Sequence, residues 1–300
     1  MKKRIIVTGS NGLLGQKVIN LLTQNETVFC VATAKGANRH ISTANYLYEE
    51  ADICDAERWK VLFETHRPTA LIHTAAMTQV DVCEDEKEAC DKINVEAVAM
   101  LCDLCEKYNT HLVHISTDFI FDGEKGLYVE DDVAEPVNYY GLSKLKAEQV
   151  IAKSKASSAV LRTILLYGYV PELSRTNIVL WVKNSLEQGK NIKVVNDQER
   201  CPTLVEDLAQ ASVSAALKQA KGIFHICGPE RMNVLELAKR VARFWKLDES
   251  LIGETDSQTL NQRAKRPPRT AFLIEKAQKE LDYQPHSLEE GFALLDKQLK

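Results

Sequence analysis

The chain has 300 residues, 45% hydrophobic and 27% charged, enough for one large buried core or two smaller ones and too apolar for a disordered or fibrous protein. Its formal charge of -4 excludes a broadly basic surface and argues against a nucleic-acid partner, leaving a small molecule as the expected ligand. No segment approaches the about 18 consecutive apolar residues of a membrane span, so no membrane partner is expected.

The opening stretch "MKKRIIVTGSNG" starts with basic residues, but its apolar run stops after Val7, well short of an export segment. A cytoplasmic protein is expected. "RIIVTG" reads as a first strand and "LLGQKVINLLTQ" as a helix, with Gly9, Gly12 and Gly15 between them. A glycine turn joining strand to helix suits a dinucleotide: Gly9 permits a tight exit, Gly12 lets backbone approach a diphosphate, and Gly15 allows close helix packing. The helix start then offers free N–H groups to the anion. "TVFCVAT" is the second strand, and no Asp or Glu follows it to accept from a ribose 2′-hydroxyl. Lys35 and Arg39 stand there instead; they are either ligands for the 2′-phosphate of NADP or solvated loop charges.

Further along, "ALIHTAA", "HLVHIST" and "SAVLRTILLYG" read as strands, and "AERWKVLFETH", "KINVEAVAMLCDLCEKY" and "SKLKAEQVIAKS" as the helices between them. This alternation predicts an α/β architecture, a doubly wound parallel sheet over residues 1–165. Residues 166–300 alternate less clearly and read as a smaller mixed α/β substrate lobe, with helices near 178–188, 204–220 and 233–247 and strands at "IKVV" and "GIFHICG". Some of these segments are expected to return to the large domain. "RAKRPPRT", with Arg266 and Arg269, is a proline-broken basic loop. The eight cysteines lie mostly inside apolar patterns and read as reduced thiols. Cys102 and Cys105 form a C-x-x-C late in a helical pattern, where core packing suits them better than redox chemistry. No His/Cys spacing matches a zinc site, so no metal is expected.

Tyr140 and Lys144, in "NYYGLSKLKAE", lie one turn apart on one helix face. Chance supplies such a spacing easily. Beside a dinucleotide site it gains meaning, because an ammonium favouring the phenolate would make a tyrosine, whose pKa is ordinarily about 10, a usable proton relay. A third member, a hydroxyl, should meet the substrate carbonyl, and the strand end "HISTDF" offers Ser116 and Thr117, between which strand periodicity does not choose.

Taken together, "GSNGLLG", "DICD", "HTAAMTQVDVCE", "STDFIFDG", "NYYGLSKLKAE", "LRTILLYG", "DQERCPTLVEDLA", "GIFHICG" and "KRPPRTAFL" resemble the extended short-chain dehydrogenase/reductases, in particular the dTDP-4-dehydrorhamnose reductase branch. The resemblance implies a Rossmann, NAD(P)-binding fold, with NADPH favoured and NADH as the alternative. It implies catalytic roles for Tyr140 as proton donor, Lys144 on the nicotinamide ribose and Thr117 on the carbonyl. Asn11, Leu13 and Leu14 would join the three glycines around the cofactor, Asp52 and Ile53 would meet the adenine, and Ala75, Ala76 and Met77 would line the cofactor path. Thr78, Asp118, Leu165 and Arg200 would face a nucleotide-sugar. The implied reaction reduces the C4 ketone of a nucleotide-linked deoxysugar, as in dTDP-rhamnose biosynthesis, and a homodimer is one expected assembly.

The chain departs from the branch twice: Leu165 stands where a tryptophan is usual, and Arg200 where glycine is usual. Arg200 reads either as an anion ligand or as a solvated loop residue. Two alternatives remain beside the reductase: a regulatory protein similar to the β subunit of methionine adenosyltransferase, and an epimerase-reductase similar to the GDP-fucose synthases. The latter needs a Cys/His acid-base pair, for which Cys201 and His225 are the candidates.

Overall fold

The computed structural model describes every residue except Met1, Thr43, Leu173, Ser174 and Asn261. Seven parallel strands form the main sheet: β1 Lys3–Thr8, β2 Val28–Ala34, β3 Tyr46–Glu50, β4 Ala70–His73, β5 His111–Thr117, β6 Ser158–Thr163 and β7 Gly222–Ile226. Their order is β7-β6-β5-β4-β1-β2-β3, so the direction of winding reverses between β1 and β4. In such sheets ligands collect beyond the strand ends at that reversal. The doubly wound Rossmann-type fold is therefore as predicted.

Alternation along the strands sends side chains to two apolar layers. Ile5, Val7, Ile72, Val113 and Leu161 face helix α1 (Leu13–Thr23), while Ile6, Val31, Leu71, Leu112 and Val160 face α2 (Ala56–His66), α3 (Ala97–Tyr108) and α4 (Tyr139–Lys153). Cys102 and Cys105 are buried in the second layer, and all eight cysteines are free thiols.

Two short helices, Val80–Asp85 and Lys87–Asp91, precede α3, and the longer helices that follow α4 are α5 (Ile178–Glu187), α6 (Val205–Lys218), α7 (Val234–Trp245), α8 (Glu275–Leu281) and α9 (Leu288–Leu299). Helix α6 lies on α1, and β7 adds to the edge of the main sheet beside β6. By contrast α5, α7 and α9 share a separate apolar core with the parallel pair Ile192–Val195 and Ile252–Thr255. This second core overhangs the carboxyl ends of the main strands, and residues from both parts face one cleft.

Two local readings from sequence need correction. "SAVLRTILLYG" is not one strand: β6 ends at Thr163, Leu165 takes a left-handed φ of 40°, and Leu166–Tyr167 leaves to pair with Thr203–Leu204. An apolar run cannot reveal that break. Leucine in this conformation costs about 1–2 kcal/mol, and it is held by Thr203, which donates from its backbone N–H to the Leu165 carbonyl (3.2 Å) and from its hydroxyl to that of Ile164 (2.6 Å). Likewise "KINVEAVAMLCDLCEKY" begins with a π-helical turn, Lys92–Glu96, before α3 proper.

Candidate active site

Helix α1 starts at Leu13 after Gly12 as its cap, which offers no side-chain hydrogen bond, so the first N–H groups of the helix are uncapped toward the cleft. A Cβ on Gly15 would run into the Gly9 carbonyl and lie 2.7 Å from the Ser10 Cα, so only glycine lets the helix start this close to the turn. The cleft, about 790 Å³, is lined by Gly9, Gly12, Leu13, Leu14 and Gly15 on one side and by Thr117, Tyr140 and Lys144 on the other. Ala76, Thr78, Asp118, Leu165 and Arg200 also line it. A second depression of about 460 Å³ shares Gly9, Gly12 and Ala76 with the first and adds Asn11, Lys35, Asp52, Ile53 and Ala75. Two expected residues line neither: Met77, whose backbone is bonded to Asn94, and Arg39, whose N–H donates to the Asn11 side chain at 2.9 Å.

Tyr140 is delivered by a capped and closely packed helix start. The Asn138 side chain accepts from the Gly141 N–H at 2.8 Å and donates to the Lys265 carbonyl at 2.8 Å. A Cβ at position 141 would overlap the Phe119 carbonyl, so glycine is what allows α4 to press on the turn after β5. Tyr140 then meets Phe119 edge to face at 5.9 Å and looks toward the Thr117 hydroxyl.

The pleat sends Ser116 and Thr117 to opposite sides of the sheet. Ser116 points to the α4 side, where its hydroxyl donates to Glu148 at 2.5 Å, and Glu148 is paired with Arg162 at 2.7 Å. Thr117 ends the strand in the cleft, and its hydroxyl donates to Asp118 at 3.1 Å.

Electrostatics depart from the simple reading of Tyr140 and Lys144. Burial raises the Tyr140 phenol well above the ordinary tyrosine range, against a smaller pull from Thr117. Burial also lowers Lys144 to about 8, opposed by Glu148 and Cys90. The ammonium is turned to His114, with Nζ 3.1 Å from Nε2. Burial thus dominates the Tyr140 phenol and favours its protonated form, while the Lys144 ammonium is engaged by His114.

The family model for the RmlD substrate binding domain matches residues 2–299. The chain belongs to this family. It is 31% identical to the Mus musculus methionine adenosyltransferase 2 subunit beta over 273 residues, spanning 88% of this chain and 78% of that protein. Among solved structures, a hypothetical dTDP-4-dehydrorhamnose reductase from Sulfolobus tokodaii is 31% identical with a TM-score of 0.82, covering 96% of this chain and 98% of its own. The dTDP-4-dehydrorhamnose reductase of Bacillus anthracis, solved in complex with NADP, shares the fold at 24% identity and a TM-score of 0.83, covering 99% and 100%.

Two substrate-side expectations change in this RmlD-family chain. Arg200 is neither solvated nor a free anion ligand: it is 3% exposed, its terminal nitrogens donate to the carbonyls of Glu199, Pro267 and Pro268 and to Gln198, and its Nε lies 3.7 Å from Asp118. Asp118, raised by burial and pulled back first by Arg200, also accepts from Thr270 at 2.5 Å. The basic loop is likewise tied down, Arg266 pairing with Asp81 at 2.7 Å. In addition, Cys201 and His225 do not line the cleft; His225 is stacked on Phe272 at 3.8 Å. These two residues therefore do not supply the acid-base pair expected of them.

Sequence reading missed Asn94, His114 and Trp181. Asn94 bonds both the N–H (2.8 Å) and carbonyl (3.0 Å) of Met77 and the Ser143 hydroxyl (3.0 Å), joining the end of β4 to α4. A polar residue inside an apolar helix pattern was its one signal. His114 looked like a strand residue, and Trp181, on α5, reaches the cleft only through the tertiary fold.

Proposed function

We propose that the protein reduces the C4 ketone of a nucleotide-linked 4-keto-6-deoxysugar with NADPH, NADH serving as the poorer alternative. The observation that carries this reading is that Thr117 and Tyr140 share one cleft with an uncapped glycine-turn helix start. The donor set fits a dinucleotide: bare N–H groups for a diphosphate, Asp52 and Ile53 beside the second depression, and Lys35 at its rim. Bound there, NADPH would supply a hydride to the ketone carbon. Tyr140 gives its phenolic proton to the carbonyl oxygen, so that ketone becomes alcohol and the enzyme is left to regain one proton. Thr117 orients that oxygen, and Lys144 holds the nicotinamide ribose in place. Asn11, Ala75 and Ala76 border the cofactor path, while Thr78, Asp118 and Leu165 shape the sugar end. Arg200, at the cleft wall with its terminal nitrogens already engaged, steadies Asp118.

NADPH oxidation followed by absorbance against a panel of nucleotide 4-keto sugars tests the reading. Turnover with one of them identifies the sugar. Tight NADP binding without turnover on any would end the reductase reading and favour a regulatory subunit, the second reading, which rests on the likeness to methionine adenosyltransferase 2 subunit beta.

Cofactor preference has its own test. Lys35 is exposed and pairs with Asp52 at 3.0 Å, free to turn toward a 2′-phosphate. Replacing Lys35 and Arg39 together by alanine should weaken NADP by about tenfold or more and NAD much less. Calorimetric titration with both nucleotides reads the difference, and equal losses would contradict the 2′-phosphate role.

A further inference from the structure

Lys144 is 2% exposed, yet among the described residues no carboxylate lies within ion-pair distance of its Nζ. Its partner is a fully buried imidazole, His114, at 3.1 Å. His114 in turn stacks on His73, ring centroids 5.3 Å apart and planes 29° off parallel. The Nδ1 of His73 lies 2.8 Å from the Thr8 hydroxyl, whose oxygen also accepts from the N–H groups of Thr74 (3.0 Å) and Ala75 (3.1 Å). With its oxygen so occupied, Thr8 directs its own hydrogen at His73, which fixes that ring as the neutral tautomer protonated on Nε2.

The same accounting applies to His114. An ammonium donates, so Nε2 of His114 accepts and its hydrogen sits on Nδ1, which has no partner among the described residues. A charge on His114 would place a second cation against Lys144 inside the core, and both burial and Lys144 oppose it. The other groups bearing on Lys144 are Glu148 on its own helix, Cys90 on the short helix Lys87–Asp91 and the neutral ring of His73 on β4, and Glu148 is already committed to Arg162 and Ser116.

We propose that His114 is a positioning residue for Lys144, a permanently neutral acceptor that fixes the ammonium against the middle of β5 without cancelling its charge. This rests on the reading of Tyr140 and Lys144 as a working pair. A carboxylate in that place would hold the lysine as firmly but would neutralise the field it presents to the phenol and to a ribose. The stacked imidazoles also link the geometry of Lys144 to Thr8, the last residue of β1 before the glycine turn.

The inference is tested on the whole chain carrying 15N-labelled lysine, with the Lys144 signal identified by its absence in Lys144→Arg, and needs no substrate. His114→Gln sets an amide oxygen at the reach of Nε2, whereas His114→Asn stops at the position of Nδ1. Wild type should titrate near about 8, His114→Gln close to it, and His114→Asn about one pH unit lower, a tenfold loss of proton affinity because the ammonium has lost its acceptor. His114→Phe, which keeps the stack on His73 but no acceptor, should match His114→Asn and serves if that variant does not fold. Wild-type midpoints in both Asn and Phe variants would overturn the proposal. A shifted midpoint in a protein that turns over no sugar would leave His114 in its role and count only against the reductase reading.

Discussion

Replacing Tyr140 by phenylalanine is expected to cut turnover by about 10² to 10⁴ while leaving NADP affinity nearly unchanged. The substitution removes the proton donor and little else. The ring keeps its edge contact with Phe119 at 5.9 Å, and the helix start remains capped by Asn138. Because burial raises the phenol, wild-type Tyr140 stays protonated throughout the neutral range, as a donor to a forming alkoxide must. The alkaline limb of the rate profile should therefore report Lys144 first: its proton is lost as pH rises through about 8, and activity should fall from there upward. Steady-state kinetics across pH with a turned-over sugar, beside nucleotide titrations, reads both effects. Equal turnover in the variant would remove Tyr140 from the mechanism.

Arg162→Met should lower the free energy of unfolding by about 3–5 kcal/mol. Arg162 and Glu148 are both buried between the sheet and α4, bonded through Nε (3.1 Å) and Nη2 (2.7 Å), with Ser116 adding its hydroxyl to the carboxylate. Removing the guanidinium strands a carboxylate where water cannot reach it, and that desolvation, rather than the lost attraction, dominates the cost. The double variant Glu148→Gln with Arg162→Met should recover most of the loss, since the charge is gone and the amide still accepts from Ser116. Urea unfolding of the four proteins makes a complete cycle. A single-variant loss under about 1 kcal/mol would show that the pair is not the buried strut its geometry indicates.

The legibility of this protein follows interaction range. Strand and helix periods, the glycine turn and the helix opening at Asn138 are written in neighbouring residues, and they foretold the winding of the sheet. Leu165 escaped because its left-handed φ is imposed by Thr203, far along the chain. Arg200 escaped for the same reason: the carbonyls that consume its donors belong mostly to the proline segment at 267–268.

By itself, then, the sequence determined the doubly wound fold, the glycine turn and the helical spacing of Tyr140 and Lys144, all of them local patterns with a fixed spacing. Only the tertiary structure decided their electrostatic state. Burial, a sum over every element packed around a group, raises Tyr140, lowers Lys144 and leaves His114 neutral beneath the ammonium, and no spacing along a chain encodes that sum.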